Sequence, residues 1–302
     1  VVLDEAQNIK NASTHAAQVV SQLQARHRLC LSGTPMENHL GEIWSLFHFL
    51  MPGFLGSQTR FKEVFRTPIE KQGDGARMAQ LRSRITPFML RRTKALVAGE
   101  LPPKVESVMP VELTGTQADL YETIRLGMEK TVREALQTKG LAKSQITILD
   151  ALLKLRQVCC HPQLVPLDAA KKVKTSAKLD QLMALLPEML AEGRRILLFS
   201  QFTSMLTLIE AELKKRNLPW VKLTGQSQKR DAIIEQFTSG QVPLFLISLK
   251  AGGVGLNLPQ ADTVIHFDPW WNPAVENQAT DRAHRIGQTQ SVWVVKLVAQ
   301  GT

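Results

Sequence analysis

Two groups of residues in this chain have the types and spacing for phosphate chemistry. The first is Asp4–Glu5, which closes the apolar run Val1–Val2–Leu3 at the head of VVLDEAQNIKN. In an open parallel sheet, ligands bind beyond the carboxyl ends of the strands, so a strand ending in two acids delivers both to such a crevice. One carboxylate there can hold Mg²⁺, a hard cation that takes one or two carboxylates together with phosphate oxygens. Its neighbour can orient or deprotonate a water. The second group lies in ENQATDRAHRIGQ, where helical spacing puts Gln278, Arg282 and Arg285 on one stripe. Val275, Ala279, Ala283 and Ile286 form another stripe, so this helix is expected to lie on a sheet by its apolar side and present two guanidinium groups from the other. The planar, permanently charged arginine fork matches phosphate oxygens. Taken singly, each group also has a plainer reading: two solvated acids at a strand end, or a solvated basic helix face.

The surrounding pattern supplies elements to position both groups. Ala16, Val20 and Leu23 give a helical stripe across Ser13–Arg28, with Ser13 or Thr14 placed to cap it. LCLSGTP reads as a short buried strand ending in a turn, and EIWSLFHFLM as a helix enclosed on more than one side. Pro102 and Pro103 in GELPPK mark a boundary, since neither fits inside a helix or a central strand. Residues 116–158 contain no proline and read as helices. The last third alternates strands (RILLFS, WVKL, VPLFLISL, TVIHFD, SVWVVKLV) with helices, the sign of a parallel sheet covered on both faces. The expected division is 1–104, 105–170 as a helical linker or protrusion, and 171–302.

With 302 residues, the chain exceeds the roughly 250–300 at which one hydrophobic core stops growing, so two lobes are expected. Lys and Arg number 37 against 27 Asp and Glu, and the resulting +10 favours a polyanionic partner, nucleic acid first. The three cysteines, Cys30, Cys159 and Cys160, form no disulfide framework and fit a reducing compartment. CCHP has neither the spacing nor the second ligand pair of a zinc site. The glycines of GGVGLNL are not spaced as a dinucleotide fingerprint. No apolar run approaches the roughly 18 residues of a membrane span, and no membrane partner is expected.

VVLDEAQNIKN, LCLSGTPMENHLGEIWSLFHFLMPG, FMLRRTK, LRQVCCHPQL, ILLFSQFTSML, ISLKAGGVGLNL and DPWWNPAVENQATDRAHRIGQ occur in that order. The series closely resembles the Swi/Snf family of helicase-like, double-stranded-DNA-dependent ATPases in helicase superfamily two, from the first residue nearly to the last. The resemblance implies an α/β fold of two RecA-like lobes, parallel sheets flanked by helices, with helical insertions between them and ATP bound across them. It places the family's acidic box on Asp4, as magnesium ligand, and Glu5, as base or water-positioning group. Its two arginine fingers fall on Arg282 and Arg285, with Gln278 heading their stripe. Ser32, Gly33 and Thr34 match the segment that couples nucleotide state to lobe movement. Lys250 and Gly255 match the segment near DNA and nucleotide, Lys250 as a phosphate contact and Gly255 as a nucleotide-side backbone position. Leu249 stands where many relatives carry a hydroxyl residue. Trp271 matches an aromatic used against bases; it is either that or a ring packed beneath a loop, and Trp270 beside it reads as core.

The chain opens inside an apparent strand, without Met, and reads as part of a longer chain with its first lobe shortened at the amino end. No GxxxxGK[ST] phosphate loop occurs in it, whereas the family carries one ahead of its acidic box. The expectation is therefore an ATP-driven translocase on double-stranded DNA that remodels a protein–DNA complex, inactive as these 302 residues alone. The rival readings are an RNA-directed helicase of the same superfamily and a non-hydrolysing DNA-binding scaffold. A short second lobe without large insertions fits a cytoplasmic bacterial or archaeal protein at the nucleoid, or a nuclear one in a eukaryote.

Overall fold

The computed structural model describes residues 1–33, 40–93, 96, 98–252, 255–269 and 272–302. Thr34 and Trp271, and Trp270 beside it, lie outside the described residues. The chain forms two compact units, Val1–Val97 and Ala98–Thr302.

In the first unit, β1 (Val2–Leu3) pairs in parallel with β2 (Leu29–Cys30), Val2 opposite Leu29 and Leu3 opposite Cys30. The pairing continues past both strands: the Leu31 amide donates to Leu3 O at 2.8 Å and the Ala6 amide to Leu31 O at 2.9 Å. Between them, α1 (His15–Ser21) is capped by Thr14, whose hydroxyl accepts from the Ala17 amide. The helix is shorter than its apolar spacing suggested, because the chain must turn back into β2. Arg28 closes that turn, donating to Leu23 O and to Phe49 O, both at 2.6 Å.

The enclosed helix is present as α2 (Leu40–Leu50). Ile43, Trp44 and Phe47 face a cluster with Phe61, Phe65, Leu81 and Ile85. Leu46 and Phe49 face a second cluster, with Ala6, Ile9 and Ala17. One helix thus supports both the floor beneath the acidic box and the helices that follow, among them α3 (Gly75–Ile85), which Asp74 caps.

The second unit is built on one parallel sheet of six strands, ordered β3-β8-β7-β4-β6-β5. These are β3 (Lys104–Glu112), β4 (Ile196–Ser200), β5 (Val221–Leu223), β6 (Leu244–Ser248), β7 (Thr263–His266) and β8 (Val292–Gln300). Strand β3 corrects the expected helical segment from 105, since the unit begins at Ala98 and 104–112 is its edge strand. Ser107, Met109 and Val111 are the covered alternate positions of KVESVMPVE, and Pro110 is tolerated because an edge strand leaves one side of its backbone unpaired.

Helix α4 (Gly115–Cys160) covers the helical stretch, broken at Gly140, whose φ of 72° and ψ of 171° leave the helical region. Then α5 (Ala177–Ala191) and α6 (Thr203–Lys215) cover one sheet face, packing on Ile196, Leu198, Leu244 and Leu246. The other face carries Leu197, Phe199, Phe245 and Ile247 beneath α7 (Arg230–Thr238), α8 (Leu249–Gly252) and α9 (Pro273–Thr280). Strands β4, β6 and β7 have no exposed residue. This accounts for their reading as continuous apolar runs.

Helix α8 approaches β4 so closely that a Cβ added at Gly252 would meet Phe199 Cε1 at 2.7 Å and Ile247 Cγ2 at 3.4 Å. Overpacking of this kind costs about 1–3 kcal/mol. Gly252→Ala should therefore destabilise the second unit by that order, read as a lowered urea midpoint with an unchanged slope.

Candidate functional site

Each unit, taken by itself, carries one group of chemically competent residues. In the first, the β1–β2 register carries Asp4 and Glu5 alongside Leu31 and Ser32. Asp4 is exposed and accepts the Glu5 amide on Oδ1 at 2.9 Å. Glu5 is half-buried and takes a left-handed backbone, φ 51° and ψ 47°, uncommon for a residue other than glycine. Gln7 connects the groups: its Nε2 donates to Glu5 Oε2, and its Oε1 accepts from Ser32 Oγ at 2.9 Å. One amide side chain thus bonds both the Ser32 hydroxyl and the Glu5 carboxylate. Gln7 was not singled out from the sequence, although its place two residues after the acid pair was the available signal. Gly33 is exposed beside Ser32.

In the second unit, α9 begins at Pro273, capped by Asn272 Oδ1 accepting from the Ala274 amide at 3.1 Å. It ends at Thr280, so Arg282 and Arg285 do not stand on the expected helical stripe. Bonds from Arg282 N to Ala279 O and from Ala283 N to Thr280 O tighten the chain into i→i+3 turns and close the helix. The docking face differs too. Glu276, Ala279, Thr280 and Ala283 are buried, whereas Ile286, expected on that face, is 84% exposed.

The arginines nevertheless come together. Arg282 Nη1 donates to the Leu256 carbonyl at 3.3 Å, and Arg285 Nη1 donates to the same oxygen at 3.1 Å. Arg282 is buried, and its own carbonyl accepts the Leu258 amide at 2.9 Å. Gln278 is half-buried on α9. Lys250 is exposed on α8, just beyond the carboxyl end of β6, and Gly255 lies between α8 and Leu256.

Polar groups unremarked in the sequence lie at the carboxyl ends of the central strands. His266, the last residue of β7, is buried, and its Nε2 meets Thr280 Oγ1 at 2.9 Å, pinning the end of α9. Burial, with Lys296 nearby, holds the His266 imidazole down to about 4. Glu276, one turn earlier, is pushed up by burial and opposed by Lys296 at 3.5 Å. Asp268 is buried after β7, its Oδ2 accepting the Gln201 amide at 3.0 Å, and burial raises it to about 6 against the pull of Ser200, Gln201, Lys178 and Arg156. None of these was singled out from the sequence, because a His or Asp at a strand end looks like any other polar boundary residue.

Comparison with known proteins adds the context. Residues 1–164 match the model of the SNF2-related domain, and residues 177–287 match the helicase conserved C-terminal domain. The Bacillus subtilis (strain 168) protein YwqA, named as an ATP-dependent helicase/translocase, is 42% identical over 309 residues, covering 100% of this chain and 33% of that protein. The Saccharomyces cerevisiae ISWI chromatin-remodeling complex ATPase ISW2 is 33% identical over 312 residues, covering 99% of this chain and 28% of its own length. Among solved structures, the Sulfolobus solfataricus SWI2/SNF2 ATPase core in complex with dsDNA is 39% identical with a TM-score of 0.56, covering 100% of this chain and 64% of that one. The chain spans about a third of the length of the curated relatives it matches.

His266 and Asp268 give opposite pH dependences. Lowered from 6.5 to about 4, His266 leaves the folded state with fewer bound protons than the unfolded one, so its contribution is full above 6.5 and is lost as pH falls towards 4. Raised from 3.8 to about 6, Asp268 does the reverse, costing stability as pH rises through that window. The two largely cancel between 4 and 6. With His266 left uncompensated, Asp268→Asn should itself lose stability on acidification from 6.5 to 4 by up to about 1.4 kcal/mol per pH unit. His266→Gln should gain it on acidification from 6 to 4. Melting curves across this range test both signs.

Proposed function

The chain belongs to the SNF2 family of helicase-like ATPases, and on that footing we propose that it forms part of the motor of an ATP-driven, double-stranded-DNA translocase that remodels protein–DNA complexes. The observation that carries this reading is the convergence of Arg282 and Arg285 on one carbonyl, Leu256 O, in spite of a helix that ends before either. Two like-charged forks held this close suit a polyanion such as a triphosphate. In this reading Glu5 serves the same phosphoryl transfer, and its link through Gln7 to Ser32 connects the state of the nucleotide to backbone movement.

The acid pair fits Mg²⁺: hard oxygen donors, one of them exposed, at the end of a parallel strand. Asp4 would hold the ion, which would neutralise developing phosphate charge. Glu5 orients the attacking water, Arg282 and Arg285 bind the transferring phosphoryl group, and Gln278 and Gly255 line the nucleotide side. Lys250 and Trp271 contact DNA. The double-stranded DNA of the Sulfolobus complex supports duplex over RNA as the partner.

These residues contain no phosphate loop, so the 302-residue chain alone should neither bind ATP tightly nor turn it over. A version carrying a phosphate loop ahead of Val1 should hydrolyse ATP with stimulation by duplex DNA. Arg282→Ala or Arg285→Ala should cut that turnover by roughly 10³ or more, with duplex affinity retained. Turnover by the 302 residues alone, greater stimulation by RNA than by duplex, or arginine variants of undiminished rate would each contradict the proposal. Duplex affinity should also fall steeply between 50 and 200 mM salt, by about tenfold for each two or so phosphates neutralised; an affinity indifferent to salt would argue against backbone contacts.

A further inference from the structure

The position of the Leu256 carbonyl is over-determined. Leu256 and Leu258 are both buried in the same cluster as Ala279 and Ala283, with exposed Asn257 between them. The Leu258 amide is tied to Arg282 O at 2.9 Å, so the segment is joined to Arg282 through main chain as well as side chain. Immediately before it, Gly255 has φ 63°, in the left-handed region, and a Cβ built on it would meet nothing within 4 Å. Space therefore does not require glycine there; backbone conformation does.

We propose that Gly255 is the positioning residue of the arginine pair: its left-handed turn admits Leu256 to the core with its carbonyl under both guanidinium groups, and so fixes the separation at which they meet a phosphate chain. Because both Nη1 atoms bond one oxygen, they cannot lie farther apart than the two distances laid end to end. Each fork spends one of its five N–H donors on that oxygen. The phosphate role rests on the ATPase reading above; the positioning itself does not.

The test uses the 302-residue chain without nucleotide, labelled with ¹⁵N-arginine. Guanidinium rotation at Arg282 and Arg285 is read from their Hη resonances, assigned with Arg282→Lys and Arg285→Lys. Asparagine tolerates positive φ and valine does not. Gly255→Asn should keep both rotations slow. Gly255→Val should speed both about tenfold, the factor corresponding to one charge-assisted hydrogen bond. Backbone amide signals of β4, β6 and β7 check the fold, and Gly255→Ala replaces the valine variant if those are lost. Unchanged rotation in the valine or alanine variant, or asparagine behaving as valine does, would overturn the proposal. A slow-rotating pair in a phosphate-loop-bearing version that shows no turnover would count against the ATPase reading while leaving the positioning supported.

Discussion

A parallel sheet covered on both faces has no solvent side, and that constraint governs the second unit. Every residue of β4, β6 and β7 is buried, so groups that meet a ligand can only come from strand ends and the connections beyond them. Lys250 stands where β6 runs out, and Asp268 where β7 does. Arg282 and Arg285 follow the helix that returns from β7 towards β8. The core clusters on the two faces hold these ends still, and the chemistry is left to short segments whose geometry they dictate.

Polar groups that remain inside are matched to their burial in different ways. His266 stays neutral and spends a ring nitrogen on Thr280, tying the sheet to the last turn of α9. Glu276 keeps Lys296 nearby, and Lys296 is itself shared with Glu106 on the edge strand at 3.5 Å. Asp268 is satisfied on Oδ2 by a backbone amide. These pairings replace the smooth apolar seam that small residues alone would have given the helix. They also explain why the helix can stop at Thr280 without releasing the arginines, because its end is held by a side-chain bond and the arginines by a separate carbonyl.

Much of this was legible in the residues. Continuous apolar runs gave the central strands, whereas the prolines at 102 and 103 were read as heading a helical segment and stand before the edge strand of the second unit's sheet. The acid pair was found at the end of a parallel strand, as its position after three apolar residues implied. The errors share one cause: local spacing was trusted where tertiary bonds decide. The i, i+4, i+7 stripe through Gln278, Arg282 and Arg285 assumed a helix that tighter turns end, so Ile286 lies in solvent. The edge strand was passed over; of its residues Val111 alone is buried, with Ser107 and Met109 half-buried, so its covered side carries little apolar signal. The partnership between Leu256 and the two arginines joins positions more than twenty-five residues apart through a backbone atom, and no residue type signals that.

The proposed function requires Glu5 and the arginine pair to act on one phosphoryl transfer. A double-mutant cycle on DNA-stimulated ATP turnover tests it most directly, using Glu5→Gln, Arg285→Ala and both together in a version that carries a phosphate loop. Residues acting as one catalytic unit are strongly non-additive. The double variant is expected to be scarcely slower than the worse single one. Two losses that multiply in full would show that the groups act independently, and would contradict it.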